Sequence, residues 1–437
     1  MSALFELTAL QAAEQIRNGQ LSAYELTSAC LDRISARDEQ VHAWQYIDYE
    51  GALAAAKRAD ASSEKNGLLH GVPVGLKDII DTRDMPTTYG SAAYRDHQPG
   101  ADAQCVNALR EQGAIILGKT VTTEFAFFAP GSTVNPHNHK HTPGGSSSGS
   151  AAAVADFHIP LSLGTQTAGS IIRPASFNGI FGYKPSYNAY PNQGIHPLAP
   201  SLDTLGTFAR SVDDLSLLGA VLGTQAQQVD TLAKPPRLAV VRTPYWSQGS
   251  IDMRNAFNDF LRLAESNGVA VVEAAEAIPS IDDQILEISK AQFSLMALEA
   301  KDILAPIAAE HGELIRAETK NLIDIGLNAP PNAMDEIHSA RTVTADLVQS
   351  LFELGDVIAT PSALGAAPEG IDATGDPVFN RAWTFARLPC IHLPLAKSTE
   401  NLPLGLQIVG SPSGDSALLS YAKFFADITP FQITLPV

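Results

Sequence analysis

Short apolar segments alternate with longer amphipathic segments along most of this chain. The segments 237–241, 357–359 and 404–409 are largely apolar, which is typical of strands whose two faces are both buried. Apolar residues recur at helical spacing in 251–267 and 335–353, which predicts helices that bury one face. The alternation predicts an α/β fold with a central mixed, largely parallel β-sheet flanked by helices on both faces.

The same patterns divide the rest of the chain into elements. We expect two helices within 5–36, further helices at 52–61, 103–112, 150–155, 283–309 and 415–426, and strands at 71–80, 114–117, 159–163, 270–273 and 391–394. Residues 129–150 and 164–174, which are rich in small and turn-forming residues, are predicted as loops. A chain of 437 residues suggests about three domains at ~150 residues each. Because no linker separates the elements, we expect one domain over 1–437.

The charge balance narrows the classes of partner. The chain has 29 Lys and Arg residues against 47 Asp and Glu residues, a formal charge of −18. Without a block of basic residues, such a chain should repel phosphate backbones and anionic membranes, so we expect no nucleic-acid and no membrane partner. The N-terminus does not resemble a signal peptide, and no apolar run reaches the ~18 residues of a membrane span. We therefore expect a cytoplasmic protein.

Lys77 stands inside the apolar segment 71–80, where a charged side chain is unusual. It could extend its aliphatic stem to the surface and pair with Asp78. Alternatively it is buried, and desolvation then lowers the pKa of its ammonium group well below about 10.4. A lysine that is neutral near pH 7 can act as a general base.

Two segments of small residues follow, at 144–150 and 164–170. The first has the composition of a flexible linker, but Pro143 precedes it and the small apolar run 151–155 follows it, which favours an ordered loop before a closely packed helix. The second could be an ordinary turn after a strand. Its small residues also allow several backbone N–H groups to converge on one point, as an oxyanion hole requires.

Taken together, these three segments resemble the amidase signature family, whose hallmark is a Ser–cis-Ser–Lys triad. The resemblance covers nearly the whole chain, with a signature core at about 70–215. It rests on the segments 71–78, 142–151, 164–170, 174–185, 201–204, 209–214, 360–361 and 403–410.

The resemblance implies a role for each matching residue. Ser170 corresponds to the nucleophile, Ser146 to the cis-serine and Lys77 to the base, so we expect a cis peptide bond before Ser146. The backbone N–H groups of Thr167, Ala168, Gly169 and Ser170 correspond to the oxyanion-hole donors. The resemblance implies no metal and no cofactor, and it implies a homodimer.

Three positions depart from the family pattern. The family usually has Asp in place of Gln166, Gly in place of Ala168 and Arg in place of Ile172, whereas this chain has an arginine one position later, at Arg173. We expect the Arg173 side chain to point in a different direction from the usual arginine. The usual aspartate at 166 and the usual arginine at 172 are both absent, so neither is left as an unpaired buried charge. We therefore interpret the two replacements as one coordinated change. Because of these departures, the substrates of well-known family members do not transfer directly to this chain.

Other patterns in the sequence suggest competing sites. Ser147 is the central residue of a G-x-S-x-G motif, but the nucleophile elbow of α/β-hydrolases follows a strand, and 137–143 is not strand-like. The alternating histidines His137, His139 and His141 could bind a metal or could be loop residues, and the family resemblance favours loop residues. The aromatic residues Phe125, Phe127 and Phe128 could line an acyl pocket or belong to the core.

The expected activity is hydrolysis of the C–N bond of a small non-peptide amide, through a Ser170 acyl-enzyme with Ser146 and Lys77 as the proton relay. The substrate would be a small carboxamide or arylamide, and a urea-like substrate of the biuret or allophanate type is an alternative. A second alternative is an amidotransferase subunit that acts on charged tRNA. The charge of −18 and the altered segment at 166–169 favour a self-contained hydrolase.

Overall fold

A computed structural model describes residues 3–223 and 229–436. Within these residues, eleven strands form one sheet in the spatial order β1-β3-β2-β4-β6-β5-β10-β11-β9-β7-β8. The strands are β1 (Trp44–Ile47), β2 (Pro73–Lys77), β3 (Ile115–Thr120), β4 (Leu161–Gln166), β5 (Phe181–Lys184), β6 (Thr204–Ala209), β7 (Leu238–Val240), β8 (Val271–Glu273), β9 (Val357–Pro361), β10 (Cys390–Lys397) and β11 (Pro403–Val409).

The helices connect and cover these strands. They are α1 (Ala9–Arg17), α2 (Ala23–Val41), α3 (Tyr49–Ala61), α4 (Gln104–Glu111), α5 (Ser148–Ala155), α6 (Ile172–Asn178), α7 (Val212–Leu222), α8 (Ile251–Ser266), α9 (Ala274–Ala277), α10 (Ile281–His311), α11 (Ala317–Leu327), α12 (Ala333–Leu354), α13 (Arg381–Phe385) and α14 (Asp415–Ile428). None of the helices in the described ranges is both long and apolar enough to cross a membrane.

The mixed sheet that the sequence predicts is confirmed, but parallel pairing is confined to two blocks. Strand β2 pairs in parallel with β3 and β4, and β7 pairs in parallel with β8 and β9. The strands between the blocks pair antiparallel. The prediction of a largely parallel sheet therefore overstates the proportion of parallel strand pairs. The β10–β11 pair illustrates the reason, because only residues 398–402 connect these strands and a connection that short cannot form a parallel crossover.

Helices cover both faces of the sheet, as predicted. Along β3, Ile115 and Leu117 belong to a core cluster with α2, α3 and α5, whereas Ile116 belongs to a larger cluster with α10 and α12. Successive side chains of a strand point to opposite faces, so these two clusters lie on opposite sides of the sheet. The parallel block β3-β2-β4 is therefore buried from both sides, and it carries Lys77 at the end of its middle strand.

Candidate active site

Lys77 is the last residue of β2 and is fully buried. Its Nζ atom lies 2.7 Å from Ser146 Oγ and 2.8 Å from Thr165 Oγ1, on the neighbouring parallel strand β4. Burial lowers the pKa of Lys77 to about 7, although the carboxylate of Asp203 works in the opposite direction. The pairing with Asp78 does not form, because Asp78 lies 3.2 Å from the buried Lys119 instead. Of the two alternatives for Lys77, the structure therefore contains the buried one.

Ser146 follows a cis peptide bond from Gly145, as the family resemblance predicts. The surrounding loop is fully buried and leads directly into α5, so it is an ordered part of the core and the linker interpretation is wrong. Small residues are required here because α5 approaches other backbone closely. A Cβ atom on Gly149 would lie 2.1 Å from the carbonyl oxygen of Ala43 and 2.4 Å from the amide nitrogen of Val121.

Ser170 lies on the short turn between β4 and α6 and is 7% exposed. Three backbone carbonyls of this turn accept hydrogen bonds. The Thr167 carbonyl accepts from Gln292 Nε2 at 2.9 Å, the Ala168 carbonyl from Thr384 Oγ1 at 2.8 Å, and the Gly169 carbonyl from the amide of the first helical turn at 2.9 Å. Within the described part of the chain, no hydrogen bond uses the N–H groups of 167–170. These donors are therefore available to a ligand.

Gln166, one of the departures from the family pattern, joins three elements. Its Oε1 accepts from the amides of Ile171 and Ile172 at 2.9 and 3.1 Å, so it satisfies two donors at the start of α6. Its Nε2 donates to Thr384 Oγ1 at 3.0 Å, and that hydroxyl holds the carbonyl of Ala168. A neutral carboxamide supplies both an acceptor and a donor, so the turn is positioned without a buried charge.

Asp203 is a partly buried carboxylate beside the turn. Its Oδ1 accepts from the hydroxyl of Thr167, and its Oδ2 accepts from the amides of Leu198 and Ala199 at 2.8 and 2.9 Å. Burial raises the pKa of Asp203 to about 6, against these hydrogen bonds and the charge of Lys77. Asp203 therefore fixes one side of the turn and contributes negative potential at Lys77.

A small cavity of about 280 Å³ lies over the serines. Its lining consists of Ala126, Phe127, Phe128, Ser146, Thr167, Ala168, Ser170, Arg173, Leu198, Met296 and Pro377. Phe127 and Phe128 therefore line the cavity, whereas Phe125 packs in the core against His196, with 5.3 Å between the ring centres. A second cavity, of about 670 Å³, shares Ala126, Thr167 and Leu198 with the first, so the two adjoin.

The other candidate residues have structural contacts. Ser147 is fully buried, and its Oγ bonds both the carbonyl and the amide of Thr165 at 3.2 Å, which ties its loop to β4. Among the histidines of the preceding loop, His137 contacts the carbonyl of Asn178 at 2.9 Å and His141 contacts that of Ala367 at 2.8 Å. In the ranges 3–223 and 229–436, no cluster of His, Cys, Asp and Glu is arranged to hold a metal ion.

The protein family described as Amidase matches residues 25–419. The chain belongs to the amidase signature family. This amidase signature enzyme is 34% identical to a subunit of glutamyl-tRNA(Gln) amidotransferase from Acidothermus cellulolyticus, over 96% of its own length and 93% of the relative's. It acts on carbon–nitrogen bonds, as its family and its structural neighbours indicate.

Solved structures of amidases share the fold. A crystal structure of an amidase aligns with a TM-score of 0.86 and 27% identity, covering 97% of this amidase signature enzyme and 100% of that chain. Native peptide amidase from Stenotrophomonas maltophilia aligns with a TM-score of 0.82 and 25% identity, covering 99% and 98%. The predicted fold class and family are thereby confirmed.

Among the three motif residues of this amidase signature enzyme, Lys77 bonds to Ser146, and Ser146 and Ser170 line the same cavity. The contacts of Thr165 and Asp203 were not expected, although Asp203 lies in a segment that resembles the family. Alternation of side chains along β4 could have predicted the contact of Thr165, because every second residue of a strand points to the same face of the sheet. Thr165 points toward Lys77 on the neighbouring strand β2.

Proposed function

We propose that this enzyme cleaves the C–N bond of a small amide through an acyl-enzyme on Ser170. The observation that carries the proposal is the buried contact of Lys77 Nζ with Ser146 Oγ at 2.7 Å, beside a cavity that Ser146 and Ser170 both line. With a pKa of about 7, a substantial fraction of Lys77 is neutral at neutral pH and can accept a proton.

The proposed proton transfers run from Ser170 through Ser146 to Lys77. Neutral Lys77 takes the hydroxyl proton of Ser146 while Ser146 Oγ takes the hydroxyl proton of Ser170. Ser170 Oγ then bonds to the amide carbon, and the carbonyl π electrons move to the oxygen. When the tetrahedral adduct collapses, the C–N bond breaks and the leaving nitrogen receives the proton back through Ser146. Water hydrolyses the remaining ester by the same relay, which restores both serines.

The developing oxyanion would be bound by the backbone N–H groups of Thr167, Ala168, Gly169 and Ser170. The carbonyls of this turn are held by Gln292, by Thr384 and by the first turn of α6, and these bonds fix the orientation of the peptide planes before substrate arrives. Donors that are already oriented stabilise the transition state without reorganisation, and in acyl transfer such preorganised donors supply much of the rate enhancement.

The size of the cavity supports a small acyl group. The cavity over the serines is small, and its wall is mostly apolar and includes Phe127, Phe128 and Met296. A short acyl chain suits such a cavity, with the leaving group directed to the larger adjoining cavity.

The fate of the released ammonia distinguishes two forms of this proposal. In a self-contained amidase, the ammonia leaves with the product. In an amidotransferase subunit, it passes to a second active site. Several relatives with 30–38% identity are named as subunits of glutamyl-tRNA(Gln) amidotransferase, and they favour the second form over the hydrolase expected from the sequence. They also weigh against the expectation that the enzyme has no nucleic-acid partner.

Two experiments test the proposal. In the first, the purified chain is incubated with primary amides, glutamine, anilides and ureas, and ammonia or amine release is measured. We expect release from at least one small amide, and no release from the Ser170→Ala variant. Failure of every amide, together with no fluorophosphonate adduct on Ser170, would overturn the proposal.

The second experiment separates the two forms. An extract of the source cells is depleted of this chain, and conversion of glutamyl-tRNA(Gln) to glutaminyl-tRNA(Gln) is followed. Loss on depletion and recovery on adding back the wild-type chain, but not Ser170→Ala, would establish the amidotransferase subunit. Unchanged conversion in the depleted extract would leave the self-contained amidase.

A further inference from the structure

Arg173 is a buried cation in the wall of the small cavity. It is 2% exposed and lies in the first turn of α6, three residues after Ser170. Of the described residues that line this cavity, Arg173 carries the only charged side chain, and most of the others are apolar. A charge in such surroundings is destabilising unless a partner compensates it.

The partners inside the protein satisfy only part of the guanidinium. Nη2 donates to the carbonyl of Gly145 at 2.7 Å and to Thr374 Oγ1 at 3.2 Å. Nε and Nη1 are buried and have no hydrogen-bond partner within the described residues. Nη2 therefore has a structural role, because it holds the loop before Ser146. The other two guanidinium nitrogens have no such role.

No carboxylate of the described chain forms an ion pair with Arg173. The carboxylate of Asp376 acts on Arg173 through space, but it pairs with Arg381 at 3.2 Å, and the charge of Arg381 opposes that of Arg173. Burial lowers the pKa of Arg173 to about 9, so the group is still a cation at neutral pH. The cavity thus holds a positive charge with unused donors beside the proposed nucleophile.

We propose that the substrate carries a carboxylate on the acyl side of its scissile amide and that Arg173 binds this carboxylate. The inference rests on the proposed function, because it uses the same cavity. A guanidinium suits this ligand because it is planar, charged at neutral pH and able to form parallel hydrogen bonds to two carboxylate oxygens. Phe128, with its ring centre 5.7 Å from the guanidinium carbon, covers one face of the group and shields the pair from water.

The position of Arg173 limits the length of the acyl chain. Its amide bonds to the carbonyl of Gly169 at 2.9 Å, so a single helical turn separates the arginine from Ser170. The carboxylate and the reacting carbonyl are therefore joined by only a few carbon atoms, as in the monoamide of a short dicarboxylic acid or the side-chain amide of a free amino acid.

The test compares two substrates that differ only in the charged group. Succinamate and butyramide have the same chain length, with a carboxylate in one and a methyl group in the other. We expect kcat/KM for succinamate to exceed that for butyramide by roughly 100-fold, because charged hydrogen bonds are formed in only one case. The Arg173→Met variant should reduce this ratio to near one, and Arg173→Lys, which keeps the charge, should retain part of it.

A binding readout separates this inference from the proposed function. Succinate should slow the fluorophosphonate labelling of Ser170 in the wild type and should no longer do so in Arg173→Met. If Ser170 is labelled and amides are hydrolysed, but the two substrates react equally, the role of Arg173 is overturned and the acyl-enzyme stands. The role is equally overturned if Arg173→Met lowers both values of kcat/KM by the same factor. An enzyme that neither labels nor turns over any amide contradicts the proposed function itself.

Discussion

Lys77 Nζ lies 2.7 Å from Ser146 Oγ at a point where neither side chain reaches bulk solvent. A lysine in water is an ammonium ion and a poor base, whereas burial of this one brings its pKa to about 7. Its other hydrogen bond is to the hydroxyl of Thr165, and Asp203 acts on it only through space. The strength of Lys77 as a base therefore depends on its burial and on these few neighbours.

Removing the base should abolish turnover. Lys77→Met keeps the volume of the buried stem but has no proton acceptor, so we expect kcat to fall by at least ~1,000-fold. Ser170→Ala should have a similar effect because it removes the nucleophile. The matched control is Ser147→Ala, which alters the loop bonds to Thr165 and should retain a substantial part of the activity. Peptide mapping of a fluorophosphonate adduct checks the assignment, and an adduct on Ser147 would contradict it.

The pH–rate profile should have an acid limb near pH 7. Protonation of Lys77 below its pKa of about 7 occupies the lone pair that accepts the serine proton, so kcat/KM should fall about tenfold per pH unit at lower pH. Above this pH Lys77 is mostly neutral, so kcat/KM should become independent of pH. The profile is measured with a neutral amide, so that the substrate does not titrate. A flat profile down to pH 5 would count against a lysine base.

Asp203→Asn should move that acid limb to lower pH. Burial lowers the pKa of Lys77, and the carboxylate of Asp203 raises it. Removing that negative charge should therefore lower the pKa of Lys77 further. The variant should also be less stable, because a new NH2 group faces the amides of Leu198 and Ala199 in one orientation. Asp302→Asn, on an exposed helix face, is the control and should leave the limb in place. A limb that moves to higher pH would contradict the electrostatic role.

Gln166→Leu should destabilise the fold around the nucleophile. The change leaves the buried amides of Ile171 and Ile172 without their acceptor, which should lower the free energy of unfolding by about 1–3 kcal/mol. Urea denaturation measures this, and Gln349→Leu, on the exposed face of α12, serves as the control. Equal midpoints for the two variants would show that the capping role of Gln166 is unimportant.

Gly149→Ala should be far more damaging than its chemistry suggests. The added methyl group would overlap the backbone of Ala43 and Val121, which cannot move aside as a side chain would. We expect a loss of at least about 3 kcal/mol in the free energy of unfolding, or no folded protein at all. Gly312→Ala has no atom within 4 Å of the new group and should be tolerated. Thermal unfolding of the two variants side by side is the measurement.

Local patterns were enough to predict much of the fold. The long helices α8, α10 and α12 and the central strands β2, β3 and β4 all overlap the segments expected from hydrophobic periodicity, because burial of one face or of both leaves a regular pattern. The helix α6 was missed, since its first turn lies in a segment of small residues that suggests a loop. Strands β5 and β6 were missed as well, and they account for much of the antiparallel pairing.

The sequence by itself determined the motif residues Lys77, Ser146 and Ser170, and with them the family and a cis peptide bond that the structure contains. Only the tertiary structure decided how these residues are positioned. Gln166 reaches Thr384 across 218 positions of sequence, and Arg173 reaches Thr374 across 201. Residues so far apart leave no local periodicity to read. Their contacts exist only once the sheet has brought the two parts of the chain together, and it is these contacts that orient the site.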